Sequence, residues 1–179
     1  MTTWIVLLRG INVGGKNILP MNELVRHLKA LHLENIQTYI QSGNAIFRSS
    51  RKISPTLGTQ IATQIERCHG FRPQVLLLRL DQLEQAIASN PFKEAEAEPK
   101  TLHLFFLAST PTAPDIESLT QAQSPSERFH LTDPIFYLHA PEGIGRSKLA
   151  RSAEKLLGVA VTARNWRTVL KLRALATAQ

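Results

Sequence analysis

Residues 37–48 read Gln-Thr-Tyr-Ile-Gln-Ser-Gly-Asn-Ala-Ile-Phe-Arg and predict a β-hairpin. Residues 37–41 and 45–48 have strand-like composition, and the Ser-Gly-Asn between them suits a tight turn. A segment with apolar residues at helical spacing stands on each side of the hairpin, and a strand-like run lies beyond each segment. The resulting order of strand, helix, strand, strand, helix, strand is the split βαβ pattern of a ferredoxin-like unit.

Short apolar patterns define the elements around the hairpin. A strand over Trp4–Leu8 is followed by a Gly/Asn loop and, after Pro20, by a helix. A second helix precedes a strand over Gln74–Leu80. We expect the apolar faces of these helices to carry Met21, Leu24, Leu28 and Leu31 in the first and Leu57, Ile61, Ile65 and Cys68 in the second. Cys68 is therefore predicted to be a core residue.

The second half of the chain nearly repeats this order, although it does not repeat residue identity. The patterns predict helices over 81–89, 115–121, 147–157 and 165–175, and strands over 102–107, 128–131, 135–139 and 159–162. We therefore predict an α+β fold with two ferredoxin-like subdomains, each an antiparallel sheet with helices packed on it. Three glutamates between Pro91 and Pro99 indicate a solvated connector, so the subdomains are expected to span residues 1–90 and 91–179.

The composition is typical of a folded protein in a reducing compartment. Of the 179 residues, 43% are hydrophobic and 20% are charged, which argues against a disordered or fibrous chain. The single cysteine excludes an intramolecular disulfide framework, and no apolar run is long enough for a signal peptide or a bilayer span. We therefore expect a cytoplasmic protein with no membrane partner.

The positive charge of the chain is concentrated near its end. The formal net charge is +7, with 21 basic and 14 acidic residues. Residues 91–142 hold three basic and eight acidic residues, whereas residues 143–179 hold eight basic and one acidic. This last fifth of the chain therefore carries as much net charge as the whole protein, which points to an anionic ligand or partner.

Four segments spread over the chain carry specific motifs. They are Leu-Leu-Arg-Gly-Ile-Asn-Val-Gly-Gly-Lys-Asn at 7–17, Tyr-Ile-Gln-Ser-Gly-Asn at 39–44, Asn-Pro-Phe at 90–92 and Thr-Ala-Arg-Asn-Trp-Arg-Thr-Val at 162–169. Together they resemble the bacterial domain-of-unknown-function 1697 family, whose last motif more often reads Thr-Thr-Arg-Asn-Trp-Asn-Thr. The resemblance implies a two-part ferredoxin-like α+β fold and no established activity. Because Arg167 departs from the family motif, it is not carried over as a family site.

The first glycine-rich loop has the spacing of a P-loop, Gly10-x-x-x-x-Gly15-Lys16, but lacks other parts of that site. Asn17 replaces the magnesium-binding Ser or Thr, and three residues separate it from the helix whose amides would hold phosphate. Two interpretations stay open. The glycines and polar side chains either shape and anchor the loop, or they bind an anion. The candidate ligand residues here are Arg9, Asn12, Gly14, Gly15, Lys16 and Asn17.

A second loop, Gly143–Lys148, lies between a predicted strand and a predicted helix. Ser147 or a neighbouring residue is expected to cap that helix, and Arg146 and Lys148 place positive charge at its N-terminus. Basic residues oppose the helix dipole at this end, at a cost of about 0.3–1 kcal/mol each that a bound anion would offset. The pattern therefore favours a phosphate or carboxylate site near Ser147 and Lys148.

Basic residues recur at helical spacing in the last two predicted helices. Lys148, Arg151 and Lys155 form one predicted stripe, and Arg164, Arg167 and Lys171 form a second. Such stripes are found on surfaces that contact polyanions and also on ordinary solvated helix faces. Arg164, Asn165 and Trp166, at the start of the last helix, complete the candidate ligand residues in this half.

The hairpin motif supplies a further set of polar candidates. A polar pocket beside Arg9 and Asn12 is expected if the first and second strands are neighbours, and it would be lined by Tyr39, Gln41, Ser42 and Asn44. The six histidines show no ligand spacing, so we expect no metal site and no cofactor.

The leading functional hypothesis is a metal-free protein that binds a phosphate-bearing anion, either a nucleotide-like small molecule or a nucleic-acid backbone. One alternative is an enzyme acting on a small phosphorylated or carboxylated metabolite, with Lys16 or Tyr39 as the acid/base. Another is a non-catalytic interaction module or homodimer. The sequence leaves open whether the protein is an enzyme.

Overall fold

In the computed structural model, which describes residues 1–50 and 52–178, the strand–helix order of the first half is as the hairpin predicts. Each half forms a four-stranded antiparallel sheet with helices packed on it. The elements of the first half are β1 (Thr2–Arg9), α1 (Met21–Ala30), β2 (Glu34–Tyr39), β3 (Asn44–Ser49), α2 (Leu57–His69) and β4 (Gln74–Arg79). After α3 (Leu80–Ala88) come β5 (Leu102–Leu107), α4 (Ile116–Ala122), β6 (Arg128–Leu131), β7 (Ile135–His139), α5 (Lys148–Leu157), β8 (Val161–Asn165) and α6 (Trp166–Thr177).

The two sheets have the same topology. Their strand orders are β2-β3-β1-β4 and β6-β7-β5-β8, and in each the first strand of the βαββαβ unit pairs with the third and the fourth. The predicted α+β fold with two ferredoxin-like halves is therefore confirmed. The second half repeats the element order completely.

Each half has an apolar core between its sheet and its helices. In the first, Val6 and Leu8 of β1 lie in one cluster with Leu24 of α1 and Ile61 of α2. In the second, Phe105 of β5 occupies the corresponding place and clusters with residues of α4 and α5. The alternate residues of the central strands, such as Ile5 and Leu7, are buried as well. The central strands β1 and β5 therefore read as near-continuous apolar runs rather than as alternating patterns.

The chain divides into two compact units, Met1–Gln85 with Lys171–Gln179, and Ala86–Leu170. The predicted subdomain boundaries at residues 1–90 and 91–179 stay a prediction. No helix exceeds 13 residues, and none within the described part of the chain qualifies as a transmembrane span.

Two predicted placements are wrong. Cys68 is exposed, because the buried face of α2 is centred on Ile61 and Ile65 and continues to Ala62 and the half-buried His69. Arg164 lies in β8 rather than at the start of the last helix, since the strand runs three residues further than predicted. The second basic stripe is therefore reduced to Arg167 and Lys171, both exposed on α6.

Candidate anion-binding cleft and other site residues

The start of α5 has the local structure that the Gly143–Lys148 motif predicts. Gly143 adopts a φ of +91°, and residues 144–146 form one turn of 3-10 helix before the chain enters α5. The buried Ser147 is the N-cap, and its Oγ accepts a hydrogen bond of 2.9 Å from the amide of Ala150. The amides of Lys148 and Leu149 have no acceptor inside the helix, as for any first turn. They point out of the N-terminal end of α5.

A cleft of about 330 Å³ opens at this helix end. Its size falls in the range of small-ligand sites. The side chains of Arg146 and Lys148 are exposed and carry two positive charges at its wall. The lining also comprises Ser147, residues 121–125 at the end of α4 and just after it, Glu127, Glu142 and Gly143.

Two carboxylates also line this cleft. The buried Glu127 accepts a hydrogen bond of 2.9 Å at Oε2 from the amide of Ser124. Glu142 accepts one of 3.0 Å at Oε1 from the hydroxyl of Ser126. Each carboxylate has further acceptor positions. The lining of the cleft therefore combines positive charge at the helix end with carboxylate acceptors for hydroxyl or amino groups.

The first basic stripe is on the surface as predicted. Lys148, Arg151 and Lys155 are all exposed on α5, and Arg151 Nη1 donates to the carbonyl of Gly145 at 3.2 Å. Arg151 thereby ties the 3-10 turn to the first turns of α5.

Arg164 is buried instead of lying on the surface. It is only 9% exposed, and its Nη1 donates to its neighbouring carbonyl, that of Ala163, at 2.8 Å. Burial lowers the pKa of Arg164 to about 10. The adjacent Asn165 caps α6 by accepting from the amide of Thr168 at 2.9 Å, and Trp166 is a core residue.

The first glycine-rich loop folds back on itself. Val13 and Lys16 form an isolated β-bridge, and Gly14 and Gly15 between them have φ values of +58° and +74°, as a type I′ turn requires. Because α1 begins only at Met21, no helix N-terminus faces this loop as it would in a P-loop. Gly14, Gly15 and Lys16 are exposed at the tip.

The asparagines of the loop anchor it to the rest of its unit. The side chain of Asn12 accepts a hydrogen bond at Oδ1 from the backbone amide of Leu19 at 2.8 Å. Its Nδ2 donates to the backbone carbonyls of Leu19 and Gln41 at 2.9 and 2.7 Å. Asn17 Nδ2 donates to the carbonyl of Gly10 at 2.7 Å. Arg9 Nη1 donates to Gln74 Oε1 at 3.2 Å. These contacts favour the anchoring interpretation for Asn12 and Asn17 and leave Lys16 as the exposed cation of the loop.

The polar residues of the hairpin lie close to this loop. β3 separates β2 from β1, yet the turn reaches the loop through the bond between Asn12 and Gln41. The fully buried Asn44 donates to the carbonyl of Tyr39 and to Ser42 Oγ, each at 3.0 Å. Asn44 therefore fixes the turn, whereas Ser42 is exposed and Tyr39 half-buried.

The family described as "Protein of unknown function (DUF1697)" matches residues 1–137. The chain belongs to this family. The solved structure of the conserved bacterial protein SP0830 from Streptococcus pneumoniae is similar, with 25% identity, a TM-score of 0.65 and coverage of 98% of both chains. No curated protein matches the sequence. The DUF1697 match contains the first loop and the hairpin, and it ends before the Gly143–Lys148 motif.

One group of side chains in this DUF1697 member was missed by sequence reasoning. His27 of α1 and His69 of α2 stand 42 residues apart in the chain, but their Nε2 atoms are 2.8 Å apart. Glu23 lies close by, one turn before His27. Burial, and then the neighbouring His69, lower the pKa of His27. The only sequence signal was the Glu-x-x-x-His spacing on α1, which by itself indicates no third ligand.

Proposed function

We propose that the protein binds a phosphate-bearing, nucleotide-like anion in the cleft at the N-terminus of α5. The observation that carries the proposal is that Arg146 and Lys148 flank the buried cap Ser147 and line a cleft of about 330 Å³. A phosphate there meets two cationic side chains, the first-turn amides and the positive end of the helix dipole.

The carboxylates of the cleft favour a small ligand with hydrogen-bond donors over a bare polyanion. Glu127 and Glu142 repel phosphate but accept hydrogen bonds from ribose hydroxyl or base amino groups. A nucleotide carries both kinds of group on one molecule.

A nucleic-acid backbone is the second candidate ligand. The exposed stripe of Lys148, Arg151 and Lys155 supports it, because the stripe continues from the cleft along α5. Binding to this stripe depends on counterion release and would weaken steeply with salt. A cytoplasmic location, for which the single cysteine is the support, fits either ligand.

The test is ligand-induced thermal stabilisation with ADP, inorganic phosphate and a single-stranded oligonucleotide, at matched ionic strength. We expect ADP to stabilise the wild-type protein and the double variant Arg146→Gln/Lys148→Gln to bind ADP at least about tenfold more weakly, since it loses two charge-assisted contacts.

Arg167→Gln/Lys171→Gln is the matched control, because it removes the same charge from exposed positions on α6. It should bind ADP as the wild type does. If the cleft variant and the α6 control lose the same ADP affinity, overall charge explains the binding. If only Arg9→Gln/Lys16→Gln loses ADP affinity, the ligand binds at the first loop. Either result would overturn the proposal.

A further inference from the structure

Three potential metal ligands meet where α1 packs on α2. Glu23 and His27 lie one helical turn apart on α1, and His69 is the last residue of α2. One ligand atom from each of the three lies within 4.8 Å of the other two. Residues four apart on a helix share a face, so α1 offers a carboxylate and an imidazole side by side.

We propose that Glu23, His27 and His69 form a site for a divalent transition-metal ion, with Zn²⁺ the best-fitting ion. Imidazole nitrogen and carboxylate oxygen are established zinc ligands, and three protein ligands with water in the fourth position is a common zinc arrangement. The site is separate from the α5 cleft and does not depend on anion binding.

The geometry of the two imidazoles is close to that of a ligated pair. With Zn–N bonds of about 2.0–2.1 Å, two nitrogens on one ion lie about 2.9–3.4 Å apart, depending on the angle at the metal. The observed separation of the Nε2 atoms is 2.8 Å, and the rings stand at 89° with centroids 5.0 Å apart. A displacement of about half an ångström therefore converts the pair from a mutual hydrogen bond to shared ligation.

Arg26 forms an ion pair with the third ligand, Glu23. Its Nη1 lies 2.7 Å from Glu23 Oε1 in an i,i+3 pair, and it is itself largely exposed. Such outer contacts orient carboxylate ligands in metal sites. The buried His27 fixes the inner end of the site, while the half-buried Glu23 and His69 leave it open to an ion from solvent.

The competing explanation is that the two histidines form only a hydrogen bond. In that case the Glu23 carboxylate takes no part in the contact, and transition-metal ions do not change the melting temperature of the protein.

Titration of the untagged full-length protein with Zn²⁺ distinguishes the metal site from the plain hydrogen bond. Binding is measured by calorimetry and the melting temperature by thermal unfolding. We expect one ion per chain and a raised melting temperature. Co²⁺ should bind the same site and give the visible absorption of a four-coordinate ion with nitrogen and oxygen ligands.

His69→Gln is the decisive variant and should bind Zn²⁺ at least about tenfold more weakly. His32→Gln, an exposed histidine just beyond α1, is the matched control and should bind as the wild type does. If His69→Gln loses the circular-dichroism spectrum of the folded protein, Glu23→Gln takes its place with the same expected loss. Absence of binding by the wild type, or wild-type affinity in the folded ligand variant, would overturn the proposal.

Discussion

Two features of the hairpin turn require glycine at position 43. Its φ of +76° is one that other residues rarely adopt, and an added Cβ would lie 2.7 Å from Leu8 Cβ and 2.8 Å from Ile11 Cδ1. Its carbonyl also accepts from the amide of Leu8 at 2.8 Å. The hairpin turn therefore approaches β1 so closely that only glycine fits.

We predict that Gly43→Ala lowers the free energy of unfolding by about 2–5 kcal/mol, because overpacking adds to the strain of a left-handed conformation. Gly70→Ala is the control. Gly70 has a similar φ of +75° with nothing within 4 Å of its Cβ position, so it should lose only about 1–2 kcal/mol. Urea unfolding measures both, and equal losses would contradict the close approach.

His103 makes stability depend on pH. It is buried on β5, its Nδ1 has no hydrogen-bond partner in the described structure, and burial lowers its pKa to about 4. The unfolded chain titrates this group near pH 6.5. Between pH 6.5 and 4 the unfolded state therefore binds a proton that the folded state does not, and stability falls as the pH falls.

As the pH falls from 6.5 to 4, His103 should lower the free energy of unfolding by about 3 kcal/mol. His103→Leu removes this titrating group and should reduce the fall in unfolding free energy between pH 7 and pH 4.5, measured by urea unfolding. His130→Gln, which changes an exposed histidine on β6, should keep the wild-type slope. The same slope in His103→Leu would show that other groups carry the effect.

Among the secondary-structure elements, the sequence predicted helix ends best, because one residue type there suits one backbone conformation or hydrogen bond. Ser147 caps α5, and Gly158, directly after the predicted helix end at residue 157, adopts the left-handed conformation. The end of β8 was predicted too early, because nothing local distinguishes Arg164 in a strand from Arg164 in a helix. Its place in the strand follows from the pairing of β8 with β5, where Arg164 lies opposite Leu104, and this pairing is a long-range contact.

The candidate sites divide in the same way. The motif of the α5 cleft was predictable, since Gly143, Ser147 and Lys148 lie within one six-residue segment, but the rest of the lining comes from the end of α4 and the segment after it. The pairing of His27 with His69 was not predictable, because it depends on how α1 packs on α2. Asn12 and Asn17 could be assigned as anchors only once their partners were known.

Over the whole molecule, one topology is used twice while charge is distributed unequally. Both halves are βαββαβ units, yet residues 143–179 hold eight basic residues and one acidic residue. Burial of Arg164 removes one of those charges from the surface, and the exposed remainder includes Arg146 and Lys148 at the cleft. Part of the surplus charge therefore lies at the helix end that favours an anion.

Amide chemical-shift mapping by NMR during titration with ADP tests the anion-binding cleft most directly. We predict saturable shifts centred on the amides of Gly143–Lys148, Leu149 and the cleft-lining residues 121–124, with the Gly10–Asn17 loop unchanged. Shifts centred on that loop, or no saturable shift at the start of α5, would contradict the account.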